Sequence, residues 1–135
     1  MFGETPLVMI EDDDALLAAV DGMRGVPVIG VDTEADSFHS YQEKVCLVQL
    51  SDLKQDYIVD PLKVKDMSPL GDIMADPATV KVLHGADYDI VSLKRDFGFQ
   101  FDIRIRFSLF TSLPLVKKCH LFLEIQGKLS HVQTV

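Results

Sequence analysis

Residues 28 to 37 read VIGVDTEADS, an apolar run that breaks into two carboxylates one residue apart, Asp32 and Glu34. Side chains alternate along an extended strand, so these two acids share a face and project from the carboxyl end of the run. Two hard oxygen donors at that spacing can hold Mg²⁺ or Mn²⁺. An isolated Asp-x-Glu is more often the start of a polar loop, because motifs this short recur by chance. A second acid sharpens the reading. VLHGADYDIVSL repeats the arrangement, with an apolar strand, a polar turn and an amphipathic helix that bears Asp87 and Asp89. Asp89 falls in the first or second turn of that helix. If its strand neighbours the first one, Asp89 approaches the Asp32–Glu34 pair at the strand ends where open α/β sheets build sites.

The elements that would position these acids can be read along the chain. EDDDALLAAVDGMRG offers acids for an N-cap and first turn, then Leu16, Ala19, Val20 and Met23 at helical spacing, with Gly22 and Gly25 to end the helix. VPVIGVDTE is rich in β-branched residues and apolar on both faces, as a central strand covered on two sides should be. KVCLVQLSD, QDYIVDP and TVKVLHG read as three further strands. SPLGDIMADP predicts a short helix with Ser68 as N-cap and Pro69 in the first helical position. ADYDIVSLKRDFGF predicts a helix whose apolar stripe is Ile90, Val91, Leu93 and Phe97, closed by Gly98. The order, helix, three strands, helix, strand, helix, predicts a mixed sheet with helices on its faces.

At 135 residues and 47% hydrophobic content, the chain is long enough for one core and too short for two. Cys46 and Cys119 lie far apart among apolar neighbours, without a CxxC or His/Cys cluster, so neither a zinc site nor a disulfide framework is indicated. No apolar run reaches the roughly 18 residues of a membrane span, and the acidic start lacks the basic segment of a signal peptide. A reducing, cytoplasmic location without membrane attachment is the expectation. The net charge of -8 argues against a protein whose affinity for nucleic acid comes from a basic surface. It does not exclude a nucleic-acid enzyme whose acids surround metal ions.

GVDTEADSFHSYQEKVCLVQLS, then VDPL, then VLHGADYDIVSLKRDFG together resemble the ribonuclease D branch of the DEDD 3′-to-5′ exonucleases. That family has a ribonuclease H-like fold, and the resemblance covers residues 8 to 102. It implies an α/β chain, a mixed sheet with flanking helices that is incomplete at the C-terminus. Asp32 and Glu34 become the first-motif metal ligands and Asp89 the second-motif acid, holding two Mg²⁺ or Mn²⁺ ions for phosphodiester hydrolysis. His84 is implied as a motif residue on the substrate side, without ligating duty. Phe38, His39 and Tyr41 are placed to line a pocket that stacks the terminal base of a single-stranded RNA 3′ end, DNA not being excluded. A loop of ordinary aromatic content is the alternative for these three. Asp87 reads as a surface or capping residue, and Lys44, Lys94 and Arg95 as solvated charges able to touch a backbone. Oligomeric state is left open.

The family's fourth acid belongs to a Tyr-x-x-x-Asp motif further on, and residues 103–135 contain neither Asp nor Tyr. Their one acid is Glu124. The sequence therefore divides into 1–102, the N-terminal part of an exonuclease domain, and 103–135, an atypical tail. A frameshift is one explanation. Ile-Arg-Phe-Ser encoded as ATT CGA TTC TCT gives Phe-Asp-Ser one base later, close to the family's continuation. Sequencing the gene and finding no Tyr-x-x-x-Asp in the +1 frame would exclude it. Two readings of function follow: a metal-dependent exonuclease domain impaired by the missing acid, and a non-catalytic nucleic-acid-binding or interaction module on the same scaffold. A phosphotransfer receiver, suggested by EDDD and VIGVDTE, lacks a Lys after a later strand.

Overall fold

The computed structural model describes residues 6–36, 43–52, 54–83, 86–102 and 105–107. Among them run β1 (Leu7–Ile10), α1 (Asp13–Met23), β2 (Val28–Asp36), β3 (Lys44–Ser51), β4 (Asp56–Val59), α2 (Ser68–Ala75), β5 (Val80–Leu83), α3 (Ala86–Phe97) and β6 (Ile105–Phe107). The strands form one mixed sheet in the order β1-β4-β3-β2-β5-β6. β2 is central, antiparallel to β3 and parallel to β5. That confirms the reading of its doubly apolar sequence. The antiparallel pairings also exclude the all-parallel sheet of a receiver domain.

Alternation along the ladders sorts side chains by face. Ile29, Val31, Val48, Leu50, Tyr57, Val59 and Leu83 join one buried cluster with Leu16, Val20 and Met23 of α1, Leu70 and Ile73 of α2, and Leu93 of α3. Asp32, Glu34 and Gln49 belong to the opposite face, since Asp32 pairs directly across from Gln49. Burying apolar side chains from three helices and the sheet in one cluster supplies the main stabilisation.

Local signals explain the helix ends. Asp12 caps α1 by accepting the Ala15 N–H at 2.7 Å. Gly22 lies inside α1, and the turn after it falls at Gly25, whose φ of 80° suits glycine. α3 closes at Gly98, φ 68°, whose N–H returns to the Lys94 carbonyl at 2.9 Å. Two expectations need correction. Ser68 is already helical and the N-cap position falls to Met67, which makes no side-chain cap; Asp66, just before it, accepts the Ser68 N–H at 2.9 Å, and Asp13 accepts the Lys65 N–H at 2.7 Å. The Ser68 hydroxyl and N–H both hold the Asp66 carboxyl below the usual carboxylate range, so Asp66→Ala should lower the urea midpoint by more than Ser68→Ala, which keeps the N–H donor. Val91 is 61% exposed and leaves the stripe to Ile90, Leu93 and Phe97.

β1 and β6 were not among the expected sheet strands. Each is only three or four residues long, too short for periodicity to separate strand from loop. β1 enters beside β4, and β6 runs parallel to β5 within the segment read as an atypical tail.

Candidate active site

The site lies where β2 outruns β5. Pairing between them stops at Val31 opposite Leu83, so Asp32 is the first β2 residue beyond its parallel neighbour. On the other side the antiparallel ladder continues, with Asp32 opposite Gln49, Thr33 opposite Val48 and Glu34 opposite Leu47. A bulge follows between Glu34 and Ala35, leaving Cys46 as the additional residue on β3; its thiol donates to the Glu34 carbonyl at 3.4 Å. Bulges twist a strand locally and re-aim its side chains. This one sets the end of the acidic segment.

α3 delivers the third acid. Asp89 is 3% exposed, and the Thr33 hydroxyl donates to its Oδ1 at 2.5 Å. The Thr33 N–H donates to Asp32 Oδ1 at 3.0 Å. One residue thus holds both acids, through its side chain on one face and its backbone on the strand edge. Thr33 was missed in the sequence; the available signal was a hydroxyl on the core-facing phase of β2, where a buried polar group needs a partner. The far end of α3 is pinned as well. Asp96 Oδ2 accepts the Val45 N–H of β3 at 2.6 Å, and Arg95 pairs with Asp96 at 2.7 Å. Burial pushes the Asp96 carboxyl up, but the Arg95 and Val45 donors outweigh it and hold it below the usual carboxylate range.

The electrostatics at Asp32 run the other way. Its carboxyl is pushed up from 3.8 to about 7, first by burial, then by the charge of Asp89, with Glu34 adding to the rise and the Thr33 N–H opposing it. The three sequence-read acids therefore feel one another. Glu34 is exposed at the rim and Asp89 buried at the base. Among the described residues, no three Asp, Glu, His or Cys side chains stand together as a formed metal cluster. The donors nevertheless suit a divalent cation: all are carboxylate oxygens, the type hard ions take, and they crowd negative charge that a cation would relieve. Closing them on an ion requires side-chain rotation, which exposed Glu34 can make.

Phe38, His39, Tyr41 and His84 lie outside the described residues. An aromatic that drew no attention in the sequence stands inside them. Tyr88, next to Asp89, is 49% exposed, and its hydroxyl donates to Glu43 Oε2 at 2.7 Å. Asp87, Lys44 and Lys94 are exposed, while Arg95 is engaged by Asp96.

A sequence profile described as 3′–5′ exonuclease matches residues 7–111. The chain belongs to this 3′–5′ exonuclease family. The mouse exosome complex component 10 is 41% identical over 97 residues, 71% of this chain and 11% of that protein. Among solved structures, the catalytic core of RRP6 from Trypanosoma brucei shares 36% identity at a TM-score of 0.73, over 77% of this chain and 29% of that one. Escherichia coli RNase D, an exoribonuclease involved in structured RNA processing, shares 33% identity at a TM-score of 0.67, over 73% of this chain and 26% of that one. The exonuclease chain thus spans about a tenth of its curated relatives and about a quarter of these solved chains. The α/β, ribonuclease H-like mixed sheet with flanking helices agrees with these neighbours.

The expected cytoplasmic location is overturned. Matching relatives from mouse and yeast are exosome components, which are not confined to the cytoplasm. Reduced cysteines do not separate cytosol from nucleus, because both keep thiols reduced. Among the described residues, no helix is long and apolar enough to cross a membrane.

Proposed function

We propose that this exonuclease domain hydrolyses phosphodiesters at the 3′ end of single-stranded RNA, using two Mg²⁺ or Mn²⁺ ions held by Asp32, Glu34 and Asp89. The observation that carries the reading is the convergence on Thr33, which ties the β2 acid and the α3 acid to one strand end. Such ions, when bound, supply a hydroxide nucleophile, neutralise charge on the phosphoryl oxygens and stabilise the leaving 3′-oxygen. The chain's own residues do the positioning. Thr33 fixes one oxygen of Asp89 at the base, Asp32 would release its proton to solvent on taking up an ion, and exposed Glu34 would complete the set from the rim.

Tyr88 gives the substrate a platform. Its ring stands exposed beside Asp89 and is steadied through its hydroxyl by Glu43, so a terminal base can stack on it. Tyr88→Ala should weaken single-stranded RNA binding about tenfold in a fluorescence titration, in line with the ~1–3 kcal/mol of one stacked base, without changing the melting temperature. Phe38, His39, Tyr41 and His84 remain candidates on the same side of the reading.

Residues 1–102 are proposed as the N-terminal part of the domain and 103–135 as its atypical tail, although the profile match runs on to 111, through β6. Three acids in place of four would bind ions more weakly and leave hydrolysis impaired. The deciding experiment is Mn²⁺-dependent degradation of a 5′-labelled single-stranded RNA by the purified chain, with Asp32→Ala beside it. A ladder of shortened products that disappears in the variant supports the reading. RNA binding with no metal-dependent products would favour the non-catalytic module instead.

A further inference from the structure

Gln49 is 2% exposed, and among the described residues its buried side-chain nitrogen has no hydrogen-bond partner. An orphaned buried amide donor is destabilising, and a methionine or leucine of similar size would avoid that cost. Gln49 sits directly across the antiparallel ladder from Asp32, on the same face of the sheet. Directly opposite partners stand with Cβ atoms about 5 Å apart, within the reach of a glutamine amide towards an aspartate carboxylate. On its other side Gln49 pairs with Ile58, which offers no acceptor in its side chain. Ser51 and Asp56 share this face but are bonded to each other, so among the described residues Asp32, directly opposite, is the polar partner within reach.

We propose that Gln49 is a positioning residue of the active site: its amide donates to the Asp32 carboxylate when a divalent ion is bound, fixing which oxygen faces the ion. The inference rests on the metal-site reading above. The donor has no partner among the described residues while Asp32 Oδ1 accepts the Thr33 N–H. When Asp32 turns towards an ion, the amide gains its missing acceptor and the ligand loses rotational freedom. Groups that orient metal ligands in this way typically contribute 10–100-fold to metal affinity.

The test is Mn²⁺ titration of the full chain by calorimetry and by loss of the free-ion electron paramagnetic resonance signal, comparing wild type with Gln49→Leu and Gln49→Met. Each variant keeps bulk and removes the donor. The expected result is a Kd for Mn²⁺ raised about tenfold or more, with melting temperatures in EDTA equal to or above wild type. Unchanged Mn²⁺ affinity in both variants would overturn the role of Gln49 while leaving the metal site standing. A lowered melting temperature in EDTA with unchanged affinity would make the residue structural and overturn it equally. A wild-type chain that takes up no Mn²⁺ would overturn the metal-site reading itself, and this inference with it.

Discussion

An Asp32→Asn chain is expected to lose at least about 10²-fold in Mn²⁺-dependent shortening of RNA, about 3 kcal/mol of transition-state stabilisation, yet to melt at a higher temperature in EDTA at pH 8. Both effects have one cause. Asp32 is held in a half-buried place beside Asp89 and Glu34, which lifts its carboxyl from 3.8 to about 7. The folded protein therefore binds a proton that the unfolded chain has released, throughout the interval between those two values. Stability falls as pH rises through that interval, and the whole penalty is present above pH 7. At full strength the shift amounts to about 4 kcal/mol; screening by water at this partly open group leaves about 1–2 kcal/mol. Removing the charge should raise the midpoint by roughly 3–6 °C at pH 8 and by little at pH 4. Thermal melts at both pH values decide it. An Asp32→Asn chain that melts no higher at pH 8 would mean that the site carries no stored electrostatic cost.

The second large effect is expected at Lys81, far from the chemistry. Lys81 is fully buried in β5, with its ammonium donating to the Asp76 carbonyl at 2.5 Å. Burial drives its pKa down, while the carboxylates of Asp102 and Asp76 counter that by favouring the charge. Among the described residues one Asp102 carboxylate oxygen is buried with no hydrogen-bond partner, and the two charges favour each other without forming an ion pair. Lys81→Ala should cost about 3–5 kcal/mol in urea unfolding, because it strands the carboxylate and opens a cavity together. Lys81→Met keeps the stem packed and should cost less. A loss under about 0.5 kcal/mol for Lys81→Ala would show that the pocket around Lys81 is wetter than its burial implies.

Part of this site was legible before any coordinates. The alternation of VIGVDTE placed Asp32 and Glu34 on one face of a central strand, and the structure places both there. The Gly98 stop and the acidic cap of α1 were readable because they depend on neighbours within four residues. The start of α2 was less legible: the loop that Asp13 holds shifts the cap position to Met67, and Asp66 rather than a Ser68 cap satisfies the first helical N–H.

What the sequence by itself determined is local: which residues alternate, which turns must break, and which acids end a strand. The tertiary structure alone decided that Thr33 would bind Asp89, 56 residues away, that Gln49 would face Asp32, and that Lys81 would lie buried near Asp102. Strand pairing and helix docking join segments whose separation leaves no periodic trace, and register selects partners only after the chain has closed on itself.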